Sequence, residues 1–195
     1  MTQFEMSAPR KAMIDSQLRT SGVNEDFVLA RMGAVPREEF VPESARDVAY
    51  IDRAIPLGDG NFLAAPLVHG KMLAEAAPKT DDSVLVVESG SAYLTELVRP
   101  LVASVETTTA EQAAAKSSKR KSFSLILVDG AIEDLPDSLV KRLDENGRIV
   151  TGTVTRGVTR LASGRKVAGQ VVLQPLGEIG IPVLHAFAKK KEWSF

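Results

Sequence analysis

Cysteine is absent from all 195 residues, which excludes disulfide frameworks, thiolate metal sites and a cysteine nucleophile. Histidine is nearly absent too. His69 and His185 lie too far apart to form a zinc-ligand spacing, so both are expected in structural roles and no metal site is expected. Neither sign of charge is in excess. A formal net charge of −1 gives no electrostatic reason to expect nucleic acid or an anionic membrane as partner. No apolar run approaches a bilayer span, and the N-terminus has neither the apolar core nor the cleavage site of a signal peptide. A soluble cytoplasmic protein is therefore expected. What the chain does have is 44% hydrophobic residues, enough to bury a substantial core in one domain spanning residues 1–195.

The pattern along the chain divides into an N-terminal helical and loop segment, 1–80, and a sheet core, 81–195. Apolar positions Met13, Leu18, Val23, Phe27, Val28, Leu29 and Met32 predict helix over 9–33, broken at Ser21-Gly22. Pro36 and Pro42 bracket a short helix, Arg37–Phe40, and Ile55–Gly60 reads as a Gly/Pro-rich loop. A helix is predicted over Pro66–Ala76. Buried-type strands follow at Val84–Val87, Leu101–Glu106 and Phe123–Asp129. Then come a helix at Asp137–Leu143, a turn at Glu145-Asn146-Gly147 and a strand at Arg148–Val154. Residues 167–176 and 192–195 read as further strands. Strands alternating with helices argue for the α/β class.

The most informative stretch is Val84-Leu85-Val86-Val87-Glu88-Ser89-Gly90-Ser91-Ala92-Tyr93. An apolar strand ends in small residues, and a helical pattern starts at once. Nucleotide sites of the strand–loop–helix kind begin this way, because glycine lets backbone approach the ligand at the helix N-terminus. Only one glycine remains here, with a glutamate beside it.

Three blocks carry a resemblance to a family: Ala34-Val35-Pro36-Arg37-Glu38-Glu39-Phe40-Val41-Pro42, Ala49-Tyr50-Ile51-Asp52 and Ile55-Pro56-Leu57-Gly58-Asp59-Gly60. With Gly90-Ser91 and Tyr93, Val105-Glu106, and Pro136 to Gly147-Arg148, the chain resembles protein-L-isoaspartate O-methyltransferases from about residue 10 to 155. That family uses S-adenosylmethionine to methylate the abnormal carboxylate of isoaspartyl residues in protein repair. The resemblance implies a doubly wound, mostly parallel, Rossmann-like methyltransferase sheet with an N-terminal helical segment. It also implies cofactor contacts from Glu88, Gly90 and Ser91 in the loop and from Glu106 to the ribose hydroxyls. Asp129 is a further candidate contact, because it ends its strand where ligands sit in open α/β sheets. A simple turn is the alternative for Asp129.

The departures from the family fall on its chemistry. Aligned without gaps on Tyr93, the family's Glu-Ile-Gly-Thr-Gly-Ser-Gly-Tyr becomes Val86 at the acid, Glu88 at the first glycine and Ala92 at the third. In that register a Cβ narrows the approach and can require a positive φ, while Glu88 faces the cofactor's carboxylate. In a register shifted by two, Glu88-x-Gly90-x-Ala92 forms a shorter acid-x-Gly-x-Gly pattern, with Glu88 taking the cofactor's ammonium. Ala64 replaces the family's serine, which helps handle the substrate carboxylate, so no catalytic residue is assigned. Phe62 is expected to pack over the sheet.

Only one crossover fits between Glu106 and Phe123, so the family's third, edge strand is missing. Strand 103–108 should then be an open edge able to pair with a second copy or another protein. The basic run Lys116–Lys121 is expected to be a solvated helix end. These departures point to a non-catalytic binding or structural homologue with S-adenosylmethionine as the only candidate cofactor. The alternative is an active or weakened methyltransferase; a binder of another small ligand is a third class.

Overall fold

The computed structural model describes residues 7–115 and 121–189. The expected strand at 192–195, and all of the basic run except Lys121, lie outside the described residues. Helix α1 (Ala8–Met13) continues through a π turn and a 3-10 turn to Gly22, and α2 (Asp26–Ala34) follows. The break therefore falls where Ser21-Gly22 predicted it. Arg10 ties this segment down, donating to Tyr50 Oη at 2.8 Å, to the Gly33 carbonyl at 3.1 Å and to Glu38 at 3.1 Å.

The stretch read as a loop is instead a small antiparallel hairpin, β1 (Ile55–Gly58) and β2 (Asn61–Leu63). Its Gly58-Asp59-Gly60 corner takes positive φ at all three residues, which is the backbone a tight hairpin turn requires. Turn residues looked like loop residues because the flanking strands are so short. Helix α3 (Pro66–Ala76) begins with proline in its first turn, as expected.

The main sheet contains β3 (Ser83–Glu88), β4 (Ser104–Thr109), β5 (Phe123–Ile132), β6 (Leu143–Thr155), β7 (Val158–Val167), β8 (Gln170–Val171) and β9 (Gln174–Glu178). Its order is β4-β3-β5-β6-β7-β8, with β9 also on β7. The first four strands are parallel and β7 turns back antiparallel. Short helices α4 (Tyr93–Val98), α5 (Ala110–Ala114) and α6 (Asp137–Arg142) complete the crossovers. The sheet buries apolar residues on both faces: one cluster includes Val84, Val86, Leu125 and Leu127, the other Leu85, Val87, Ile126 and Val128. This two-faced burial explains the unbroken apolar runs of β3 and β5.

Three expectations need correction. The second parallel strand runs over Ser104–Thr109, three residues beyond Leu101–Glu106 and one beyond the 103–108 edge; its β-branched Thr107-Thr108-Thr109 suits a pleated surface. The antiparallel strand β7 was not anticipated, since its partly exposed, polar-rich sequence lacks a continuous apolar run. Residues 167–176 form two short strands and a connection instead of one strand. The open edge itself is where it was expected: β4 ends the sheet, with no strand outside it among the described residues.

Below the sheet, Asp82 accepts from Ser124 Oγ at 2.7 Å, the Lys79 N–H at 2.8 Å and Arg148 Nη2 at 2.7 Å. Burial alone raises this carboxyl, but these bonds outweigh it and hold it below its ordinary value of 3.8. A depressed folded-state value contributes stability above the ordinary value, and that contribution is lost as pH falls through the folded one. Asp82→Asn is therefore expected to cost stability at pH 7, with the gap to wild type shrinking as pH drops below about 4. Urea midpoints across that range check it; a gap independent of pH contradicts it.

Candidate functional site

At the carboxyl ends of β3 and β4 lies a crevice of about 720 Å³, within the size range of small-molecule and cofactor sites. Glu88 is the last residue of β3, directly opposite Thr109, the last residue of β4. The chain then turns through Ser89, Gly90 and Ser91 into α4. Gly90 has φ +97, and a Cβ there would lie 2.6 Å from Asn61 Cβ. It is thus the one loop position that demands glycine both by conformation and by space. Neither Glu88 nor Ala92 has a positive φ; Ala92 sits at φ −85. The strain anticipated at those two positions does not occur. The glutamate carries its carboxylate at a strand end, held by Thr95 Oγ1 donating to Oε1 at 2.7 Å. A carboxylate at the strand end is compatible with the shifted register, Glu88-x-Gly90. Ser91 is buried, and its Oγ accepts from the Tyr93 N–H at 3.2 Å.

Of the predicted cofactor contacts, Glu88, Gly90 and Ser91 line this crevice and two others do not. Glu106 pairs with Leu85, three residues short of the end of β4, and forms ion pairs with Lys121 and, at 3.9 Å, with Arg142. The β4 end facing the crevice is provided by Thr109 and Glu111. Sequence reasoning missed these because it stopped the strand too early; the threonine triplet was the signal.

Asp129 lies beneath the crevice in β5, 1% exposed. It is neither a surface turn nor part of the crevice wall. Its Oδ1 is 3.0 Å from His69 Nε2, and its Oδ2 is 3.2 Å from Ser89 Oγ, which also lies 2.9 Å from the Phe62 carbonyl. On the other side of the imidazole, Arg37 Nη1 is 3.2 Å from His69 Nδ1. Arginine can only donate, so Nδ1 accepts and Nε2–H donates to Asp129. Arg37 also donates to the Ala49 carbonyl at 2.7 Å and to the Ala64 carbonyl. Its guanidinium lies 5.1 Å from the centroid of the Tyr93 ring. Burial lowers the Arg37 pKa from its ordinary value, against the opposing field of Asp129, and pushes the Tyr93 phenol up to about 12. His69 is thus the structural residue it was expected to be, linking a buried cation to a buried anion across the β2–α3 connection, β5 and the loop.

A second cavity of about 690 Å³ lies on the other side of the hairpin. Phe62 lines it instead of packing over the sheet. Its remaining wall is mostly apolar, with Leu67, Ile179 and Ile181, and includes Asp52, Arg53 and Thr159. The segment 182–186 separates the two cavities, and Val183 and His185 line both. Main-chain bonds anchor this segment to β5: Ala131 N–H to the Pro182 carbonyl and Leu184 N–H to the Ala131 carbonyl, each 2.8 Å. Leu184 also covers Gly130, where a Cβ would lie 2.5 Å from its Cγ. His185 is exposed on the dividing wall, in a 3-10 turn over His185–Phe187.

A family model, protein-L-isoaspartate(D-aspartate) O-methyltransferase, matches residues 8–121. Among similar proteins, the protein-L-isoaspartate O-methyltransferase of Koribacter versatilis is 32% identical, covering 88% of this chain and 87% of its own. That of Methanoculleus marisnigri is 27% identical over 95% and 96%. A Plasmodium falciparum protein described as a protein-L-isoaspartate O-methyltransferase, solved in complex with S-adenosyl-L-homocysteine, superposes with a TM-score of 0.73 at 20% identity. It covers 91% of this chain, and the fold is the Rossmann-like methyltransferase fold. The chain belongs to the protein-L-isoaspartate O-methyltransferase family.

Proposed function

We propose that this member of the protein-L-isoaspartate O-methyltransferase family methylates isoaspartyl carboxylates, with S-adenosylmethionine in the crevice and the peptide in the adjoining groove. The observation that carries this reading is the division of charge between the two cavities. The crevice is lined by three carboxylates, Asp59, Glu88 and Glu111, with no lysine or arginine among its described lining residues. That wall suits a ligand bearing a sulfonium and an ammonium. The groove wall is mostly apolar and carries one cation, Arg53, beside one acid, Asp52, with no ion pair between them, which leaves the cation available to an anionic acceptor. S-adenosylmethionine supplies an electrophilic methyl group on that sulfonium. Glu88, at the strand end, would take the ammonium, and Thr109 with Glu111 would take the ribose hydroxyls. The absent side chain of Gly90 lets the loop approach the ligand. Val183 and His185 line both cavities, so donor and acceptor would meet beside them, and holding the two together would lower the barrier through proximity.

The departures at Val86, Glu88, Ala92 and Ala64, with the missing edge strand, favour a non-catalytic homologue on sequence grounds. The unstrained backbone at Glu88 and Ala92, and similarity along nearly the whole chain to proteins named as methyltransferases, support the active reading better. Calorimetry is expected to give micromolar affinity for S-adenosylhomocysteine, about −8 kcal/mol. Labelled methyl groups should enter an isoaspartyl peptide and not its aspartyl twin. No binding at millimolar cofactor overturns the reading. Binding without transfer favours a second one, a cofactor-binding module without turnover, for which the observation is Ala64: it has no hydroxyl and is buried in the core.

A further inference from the structure

We infer that Arg53 is the residue that receives the acceptor carboxylate in the groove, supplying by charge what position 64 cannot; this rests on the methyl-transfer reading above. Ala64 is 1% exposed and lies in the wall of neither cavity. A carboxylate entering an apolar groove must find donors there, because leaving water unpaired is costly. The side-chain donors in the groove wall are Arg53, Thr159 and His185. Thr159 has a single hydrogen, and its Oγ1 already donates to the Ile179 carbonyl at 2.6 Å while accepting from the Ile181 N–H at 3.1 Å. His185 belongs equally to the crevice wall, at the boundary between the cavities.

Arg53 differs from both. It is exposed, and its side chain makes no hydrogen bond or ion pair among the described residues. Asp52 is the acid beside it in the same wall, and no ion pair joins the two. Its five N–H groups form a planar fork that matches a carboxylate bidentately. The neighbouring Phe62, Leu67, Ile179 and Ile181 keep the surroundings apolar, which strengthens a charge pair relative to water. The position is also well supported. The Arg53 N–H donates to the Ile51 carbonyl at 2.8 Å, and Tyr50, three residues earlier, is bound through its hydroxyl to Arg10 and to the Arg37 N–H. Arg53 thus presents an unpaired guanidinium to the groove from an anchored segment. It would hold the acceptor carboxylate in the groove by charge; methyl transfer from the sulfonium would form the new C–O bond as the methyl–sulfur bond breaks with its electron pair returning to sulfur, and no proton would need to move.

The test uses the full chain with Arg53→Gln and Arg53→Lys, and an isoaspartyl peptide beside its neutral amide counterpart. Direct peptide binding should weaken at least about tenfold in Arg53→Gln, the loss of one charge-assisted contact. KM should rise by a similar factor with kcat within about twofold. Arg53→Lys should retain part of the affinity, as charge without the fork. S-adenosylhomocysteine affinity and the thermal midpoint should stay at wild-type values, since the side chain is exposed. Unchanged peptide binding in Arg53→Gln overturns the inference. So does a wild-type protein that binds the amide peptide as well as the acid. Failure of the methyl-transfer reading is separate: the wild type then binds no S-adenosylhomocysteine, or binds it and transfers no methyl group, whereas the Arg53 comparison is read in direct peptide binding.

Discussion

Replacing Asp129 by alanine is expected to lower the thermal midpoint by roughly 10 °C, the largest effect of any single change near the site. Arg37 is fully buried, and the counter-charge it meets through His69 is Asp129, itself 1% exposed. Removing one partner of a buried ionic arrangement costs about 3–5 kcal/mol, because the other charge is left desolvated and unbalanced. For a domain whose whole stability is about 5–15 kcal/mol that is a severe loss. The alanine variant also leaves the His69 Nε2–H without its acceptor and removes one of the two acceptors available to Ser89 Oγ. Asp129→Asn separates the two contributions: it keeps an acceptor for His69 but not the charge. An asparagine variant near wild type would assign the cost to hydrogen bonding. One as unstable as alanine would assign it to charge. A shift under about 2 °C for alanine itself would show that Arg37 does not depend on Asp129.

Gly90→Ala is the second large effect, and it acts on the ligand site. At φ +97 an L-residue is strained by about 1–3 kcal/mol. The new methyl would also sit 2.6 Å from Asn61 Cβ and 2.7 Å from Asn61 Cγ, so either the loop or the hairpin must move. Both line the crevice. S-adenosylhomocysteine affinity is expected to fall by about a hundredfold, or roughly 2.7 kcal/mol. Adding Asn61→Gly to Gly90→Ala removes the collision and leaves the backbone strain, so the pair should recover part of the loss. Calorimetry on the two variants decides it. A Gly90→Ala protein that binds cofactor as wild type would mean the ligand does not approach this loop.

Much of this was legible along the chain. The Pro66–Ala76 helix, the apolar strands beginning near Val84 and Phe123, and the break at Ser21-Gly22 follow from periodicity and local stereochemistry, which act over a few residues. The hairpin at Ile55–Leu63 was hidden because its strands hold only four and three residues. Glu106 was misplaced by a strand end set three residues too early, and that moved the acid facing the crevice to Glu111. The strain expected at Glu88 and Ala92 came from counting glycines without knowing φ. Only one of those loop positions has the left-handed backbone, and it kept its glycine.

The family, the α/β order and the identity of the loop were determined by the sequence alone, since motif blocks and apolar periods are local properties of the chain. Tertiary structure decided which charges meet. Asp129 lies 60 residues from His69, and His69 lies 32 from Arg37; no local rule pairs them. The gathering of Asp59, Glu88 and Glu111 on one wall, with Arg53 on the other side of the hairpin, is likewise a consequence of how strand ends converge. A carboxylate's partner depends on distance through space, and that distance exists only once the sheet has formed.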